Sequence, residues 1–144
     1  MPRYLLDTNI ISDAIRNTRG ACATRIGQAE PEDLCTSIIV AAELRFGAEK
    51  KGSRGLTERI ERALSGLPVK ALGIDADHHY GRLRADLERR GQLIGANDML
   101  IAAHAFAMDA ILVTDNVAEF SRISGLAIEN WLERNPGCTT VVGN

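Results

Sequence analysis

The chain opens with Tyr4-Leu5-Leu6-Asp7-Thr8-Asn9-Ile10-Ile11, an apolar run that ends abruptly in an acid, a hydroxyl and an amide. The apolar run is too short to fill a helix, so it predicts a buried strand, and Thr8 or Asn9 is expected to cap a helix that begins near Ile10. Asp7 would then lie at the carboxyl end of a strand, where open parallel α/β sheets place their ligand crevice. The alternative interpretation of Asp7 is a helix cap with no further role.

Size and composition indicate one folded domain of 144 residues, which is enough to bury a core without metal or disulfide cross-links. Hydrophobic residues make up 45% and charged residues 25%, as is usual for globular proteins, and the net charge of −2 predicts no general attraction to nucleic acid. No segment has the apolar length of a membrane span and no export signal opens the chain, so we expect a cytoplasmic protein without membrane contact. We expect a domain over residues 1–134 and a mobile polar tail over 135–144. The three widely spaced cysteines, Cys22, Cys35 and Cys138, predict buried free thiols.

Apolar runs and amphipathic segments alternate along the rest of the chain. Further strands are predicted over 34–37, 69–72, 110–114 and 126–131. Helices are predicted over 10–16, 21–29, 38–48, 56–67, 76–90, 97–108 and 120–124. This alternation predicts an α/β fold with three layers, α/β/α, in which helices cover both faces of a central parallel sheet of about five strands.

Three further acids occupy positions that call for an explanation. Glu43 is predicted on the apolar face of its helix, between Ile39 and Phe46, and a buried carboxylate requires a basic group, a donor network or a metal ion. Asp98 lies in the first turn of an apolar helix, where the helix dipole favours a carboxylate. Asp115 follows the strand over 110–114 as Asp7 follows the first strand.

Right-handed crossovers bring the carboxyl ends of parallel strands to one edge of a sheet, so we expect Asp7, Asp98 and Asp115 to meet there, with Glu43 joining them. Clustered carboxylates raise one another's pKa unless a cation neutralises them. Oxygen ligands without a thiolate or a suitably placed histidine indicate Mg²⁺ or Mn²⁺. An ion of this kind suits the hydrolysis of phosphodiester bonds.

These motifs resemble those of PIN-domain proteins and, more narrowly, of VapC toxins. The resemblance rests on residues 5–9, the helix around Glu43, and residues 95–104, 113–116, 119–120, 125–126 and 129–131. It implies a metal-dependent ribonuclease that cuts structured RNA, such as tRNA or ribosomal RNA, at exposed loops. It also implies a VapB-type antitoxin that neutralises the toxin, contact with operator DNA only through that antitoxin, and a homodimer within a larger toxin–antitoxin complex.

The resemblance also assigns roles by position. Asp7, Glu43 and Asp98 match the catalytic acids of the family, and Asp7 and Asp98 would bind the metal ion. Thr8 and Asn9 would position the loop and contact phosphate.

The fourth acid stays open among Asp115, Asn116 and Glu119, with Asp115 preferred. Asp115 follows its strand directly, but the alternation of side chains along a strand could turn it away from the site.

Two other enzyme classes fit poorly. Haloacid dehalogenases carry the motif Asp-x-Asp-x-Thr, but position 9 of this chain is Asn. A receiver domain needs a lysine after a late strand, whereas the lysines of this chain are Lys50, Lys51 and Lys70. A catalytically inactive PIN-fold binding module that acts through its protein partner is the remaining alternative, and nuclease activity sensitive to chelators would separate it from an enzyme.

Overall fold

A computed structural model of the protein describes residues 2–132 and 140–141. Its strands are β1 (Tyr4–Leu6), β2 (Leu34–Ser37), β3 (Val69–Lys70), β4 (Ile111–Val113), β5 (Ala127–Glu129) and β6 (Thr140–Val141). They form one sheet in the order β3-β2-β1-β4-β5-β6, in which β1 to β5 are parallel and β6 is antiparallel to β5. The predicted parallel sheet of about five strands is confirmed. β6 lies within the predicted mobile tail, and the rest of that tail lies outside the described residues.

Helices connect the strands. They are α1 (Thr8–Arg16), α2 (Ala21–Gln28), α3 (Ile38–Lys51), α4 (Arg54–Ser65), α5 (Ala76–Arg89), α6 (Ala96–Met108) and α7 (Val117–Phe120), with a 3₁₀ turn at Pro31–Asp33. Successive strand residues point to opposite faces of a sheet, and the neighbours Leu5 and Leu6 are both buried, as are Leu112 and Val113. Both faces of the sheet are therefore covered, which confirms the three-layer α/β/α architecture.

Several element boundaries differ from the prediction. The first helix begins at Thr8, two residues earlier than expected, and its N-cap is Asp7 rather than Thr8 or Asn9. The third strand covers only Val69–Lys70, because its ladder pairs with only two residues of β2. The short helix after β4 ends at Phe120 instead of beginning there, because the Phe120 N–H donates to the carbonyl of the N-cap residue Asn116 at 3.2 Å and closes the turn.

Buried apolar side chains from strands and helices form one core cluster, which includes the fully buried Trp131. The predicted free thiols are found at Cys22 and Cys35, both buried, while Cys138 lies outside the described residues. Burial raises the pKa of the Cys22 thiol to about 12, so this thiol stays protonated. In the part of the chain that the structure describes, each helix is too short or too polar to cross a membrane.

Candidate active site

Asp7 lies at the carboxyl end of the central strand β1 and is only 3% exposed. Its Oδ1 accepts a hydrogen bond from the backbone N–H of Thr8 at 2.8 Å. Its Oδ2 accepts from the hydroxyl of Thr114 at 2.8 Å and from the Asn9 amide at 3.3 Å. Burial raises the pKa of Asp7, although these donors act in the opposite direction. The carboxylate is therefore held in one orientation by three donors.

Thr114 is the site residue that sequence reasoning missed. It is fully buried directly after β4, and besides donating to Asp7 it accepts from the backbone N–H of Asn116 at 3.0 Å. The sequence offered one signal: the hydroxyl of Thr114 ends one predicted strand, and the acid Asp7 directly follows another. A threonine in that position is also an ordinary strand residue, so the signal alone does not identify a role.

Glu43 lies on α3 and is partly buried, and its Oε1 accepts from the Thr8 hydroxyl at 2.8 Å. The expectation that it lies among apolar neighbours is only partly met, because Phe46, one turn further on, is 67% exposed. The buried side of α3 consists of Val40, Ala41, Leu44 and Ala48, and Glu43 lies at its margin. The carboxylate is thus satisfied by a hydroxyl donor at the edge of the site.

Asp98 lies in the first turn of α6, as predicted, and faces α7. The N-cap of α6 is Gly95, which has no side chain to cap the helix, and the helix begins at Ala96 instead of residue 97. The amide of Asn116 bridges two acids, with Nδ2 at 3.5 Å from Asp98 Oδ2 and at 3.1 Å from Glu119 Oε2. Two of the three candidates for the fourth position therefore lie beside Asp98.

The pKa of Asp98 is raised to about 7. Burial is the largest cause, a hydrogen bond with Glu119 is the next, and the charges of Asp7, Glu119 and Glu43 add to them. Both the burial and the hydrogen bond favour the protonated form of the Asp98 carboxyl group. The charges of Asp7 and Glu43 thus act on Asp98, and the role of these three acids as one catalytic cluster stays a prediction.

Asp115 is turned elsewhere. Its side chain is exposed and accepts from the Asn130 amide at 3.0 Å, and its charge acts on the buried Cys22. Its backbone N–H donates to the side-chain oxygen of Asn9 at 2.9 Å. Asp115 thus supports the loop through its backbone, while its carboxylate makes its described hydrogen bond outside the group around Asp98.

Known proteins resemble this chain in both sequence and fold. Residues 4–126 match the PIN domain family. Ribonuclease VapC2 of Haemophilus influenzae is 39% identical over 134 residues, which cover 92% of this chain and 100% of the relative. The tRNA(fMet)-specific endonuclease VapC of Shigella flexneri is 36% identical over 133 residues, covering 91% of this chain and 99% of the relative. A crystal structure of VapBC2 from Rickettsia felis, bound to a DNA fragment from its promoter, superposes with a TM-score of 0.79 at 36% identity, covering 89% of this chain and 98% of that one.

The chain therefore belongs to the PIN domain family. Within that family its named relatives at 36–39% identity are VapC ribonucleases, and it is a nuclease of this group.

Ribonucleases with a PIN domain generally depend on a divalent metal ion. Within residues 2–132, no group of three or more His, Cys, Asp or Glu side chains is arranged to hold an ion as it stands. The donor chemistry still fits, because Asp7, Asp98, Glu43 and Glu119 are hard oxygen ligands whose mutual repulsion raises the pKa of Asp98. A divalent cation held by these carboxylates would offset that repulsion and favour the ionised form of Asp98.

Proposed function

We propose that this protein is the toxin of a type II toxin–antitoxin system and that it hydrolyses RNA phosphodiester bonds as a Mg²⁺-dependent endoribonuclease. The proposal is supported by the raised pKa of Asp98, about 7, to which the charges of Asp7, Glu119 and Glu43 contribute after burial and a hydrogen bond with Glu119. Such crowding of carboxylates is costly unless a cation neutralises it. Mn²⁺ has similar ligand preferences and is proposed as a substitute.

The names of the relatives support the substrate and the partners. One relative is named a tRNA(fMet)-specific endonuclease, and the Rickettsia felis structure is a VapBC complex on promoter DNA. We accordingly propose structured RNA such as tRNA or ribosomal RNA, cut at exposed loops, as the substrate. A VapB-type antitoxin would neutralise the toxin and carry its contact with operator DNA. A homodimer within a larger toxin–antitoxin complex in the cytoplasm completes the proposal. Exposed loops suit the reaction because unstacked RNA backbone is free to adopt geometries that a duplex does not allow.

Asp7 and Asp98 would hold the metal ion, with Glu43 and Glu119 beside them. When bound, Mg²⁺ supplies positive charge for a phosphate oxygen and acidifies a water molecule, which is the chemistry that phosphodiester hydrolysis requires.

The chain's own groups orient these acids and move the proton. The donors from Thr8, Asn9 and Thr114 fix the Asp7 carboxylate, so it needs no rearrangement when charge develops nearby. Glu119 lies beside the proposed ligand Asp98, bonded to the Asn116 amide, and is suited to exchange a proton with a reacting water or leaving oxygen.

The fourth position is proposed to be shared by Asn116 and Glu119 rather than taken by Asp115. Asn116 donates to both Asp98 and Glu119, whereas the carboxylate of Asp115 accepts from Asn130. Glu119→Gln should lower kcat by about 100-fold, in the range typical of a lost acid–base group. The matched variant Asp115→Asn should stay within about threefold of the wild type, and the reverse order would restore Asp115 to the site.

The function is tested with purified protein and a labelled structured RNA, in Mg²⁺ and in EDTA. The wild type should cleave only with the metal ion, and Asp7→Asn, which keeps the size of the side chain and removes its charge, should abolish cleavage without unfolding the protein. Undiminished cleavage by Asp7→Asn would rule out the proposed chemistry. An inactive wild type that still binds a VapB-type antitoxin would favour the alternative of a binding module without catalysis.

A further inference from the structure

A buried hydrogen bond joins the two helices that carry Glu43 and Asp98, and it takes no part in the chemistry proposed above. His104 Nδ1 on α6 lies 2.8 Å from Ser37 Oγ, and the two residues are 2% and 0% exposed. Ser37 is also the N-cap of α3, where its Oγ accepts from the backbone N–H of Ile39 at 3.1 Å.

The direction of these hydrogen bonds follows from their partners. The backbone of Ala71, just after β3, is hydrogen-bonded to the His104 ring and favours its protonated form, as a carbonyl acceptor does. Burial nevertheless lowers the pKa of His104, so the ring is neutral and carries its single proton towards Ala71. Nδ1 is then an acceptor, the Ser37 hydroxyl donates to it, and the Ser37 oxygen accepts from Ile39. We assign this tautomer from the hydrogen-bond network, in which Nδ1 accepts once and the Ser37 hydroxyl donates once and accepts once.

The hydrogen bond between His104 and Ser37 lies equally far, along the helices, from Glu43 and from Asp98. Glu43 follows Ser37 by six residues on α3, and Asp98 precedes His104 by six residues on α6. At a rise of 1.5 Å per residue, each acid is about 9 Å along its helix from that hydrogen bond. The charge of Glu43 still contributes to the raised pKa of Asp98, so both helices bring their acids back to one place.

We propose that His104 is a positioning residue for the active site, which sets the axial position of α6 against α3 through Ser37 and thereby the separation of Asp98 and Glu43. This inference rests on the proposed function, because it concerns the same acids. The competing account treats His104 as a core residue that contributes only to stability.

Two amide variants, each of which replaces one ring nitrogen of His104, distinguish a positioning role from a role in stability alone. In His104→Asn the side-chain oxygen takes the place of Nδ1 and keeps the bond from Ser37, whereas in His104→Gln the side-chain nitrogen takes the place of Nε2 and keeps only the bond to Ala71. His104→Asn should retain kcat within about threefold, while His104→Gln should lower kcat about tenfold or more, with KM for RNA unchanged, because small displacements of catalytic groups are costly. The affinity for Mn²⁺, measured by calorimetry, should fall about tenfold in His104→Gln and little in His104→Asn.

The matched control is Ile101→Val, a fully buried site on the same helix, which should lower stability without changing kcat or Mn²⁺ affinity. Equal kcat and equal Mn²⁺ affinity in the Asn and Gln variants, compared at the same folded fraction, would overturn the proposal. If His104→Gln does not fold, Ser37→Ala against Ser37→Thr makes the same comparison from the other side of the bond. A wild type without metal-dependent cleavage overturns the proposed function instead, and the Mn²⁺ affinities then decide the role of His104 by themselves.

Discussion

Replacing Asp98 by asparagine should stabilise the metal-free protein at alkaline pH while removing an acid of the proposed active site. The carboxyl group of Asp98 has its pKa raised from 3.8 to about 7, chiefly by burial and then by its hydrogen bond with Glu119. A raised pKa means that the folded protein holds the proton more tightly than the unfolded chain. The stabilising contribution of Asp98 is therefore complete below pH 4 and is lost as the pH rises through about 7.

The size of this contribution to stability follows from the difference between the two pKa values of Asp98. For a fully buried group, the gap between 3.8 and about 7 corresponds to about 4 kcal/mol of unfolding free energy. Asp98 is partly exposed, so solvent screening reduces this to about 1–2 kcal/mol. The side chain of asparagine does not titrate, so Asp98→Asn should exceed the wild type by about 1–2 kcal/mol at pH 8 in EDTA and equal it near pH 4.

Urea unfolding measures the difference, with the fluorescence of the single tryptophan, the buried Trp131, as the probe. Asp115→Asn is the matched control, because it makes the same acid-to-amide change at an exposed carboxylate bonded to Asn130. Mg²⁺ at 100 times its dissociation constant should stabilise the wild type by about 2.7 kcal/mol and Asp98→Asn much less. A variant that is less stable than the wild type at pH 8 in EDTA would refute the argument from crowded charge.

Three further predictions concern other parts of the molecule. Thr114→Val removes the hydroxyl that holds Asp7 and should weaken Mn²⁺ binding about 10- to 100-fold in calorimetry, and an unchanged affinity would deny Thr114 that role. Trp131→Phe loses the hydrogen bond to Glu129 and weakens the stacking of Arg25, and circular dichroism should report a loss of about 1–3 kcal/mol with activity per folded molecule unchanged. Gly52 caps α3 with φ +64°, in the left-handed region, so Gly52→Ala should lower the free energy of unfolding by about 1 kcal/mol. Gly81→Ala, inside α5, should instead raise the free energy of unfolding by about 0.5–1 kcal/mol. Stability changes of the same sign for the two variants in thermal unfolding would contradict this.

The sheet was largely predictable because its strands are buried on both faces and therefore read as continuous apolar runs. The extent of β3 was not, because it depends on pairing with β2, a contact between distant parts of the chain. Only Thr36 and Ser37 offer partners to Val69 and Lys70, so the apolar residue Leu72 lies beyond the strand. The start of α7 was misplaced because a helix of four residues is too short to show a periodic apolar pattern.

The site divides in the same way. The placement of Asp7 after a strand and of Asp98 in a first helical turn follows from local sequence. The fourth position of the site could not be chosen among Asp115, Asn116 and Glu119 from the sequence. The carboxylate of Asp115 accepts a hydrogen bond from Asn130, which follows β5, and the local sequence does not predict that contact. A hydroxyl such as Thr114 is equally ordinary in a strand, so its hydrogen bond to Asp7 becomes visible only in three dimensions.

The anchoring of Asp7 to β4 has a consequence for synthesis on the ribosome. The backbone N–H of Asp7 donates to the carbonyl of Val113 at 2.9 Å, and its carboxylate takes the Thr114 hydroxyl, so partners made more than a hundred residues later complete its setting. A nascent chain that has not yet released β4 from the exit tunnel therefore carries an unfinished centre, whatever its amino-terminal half has folded into. A nuclease directed at RNA would in this way remain inactive while the ribosome still holds β4 in its exit tunnel.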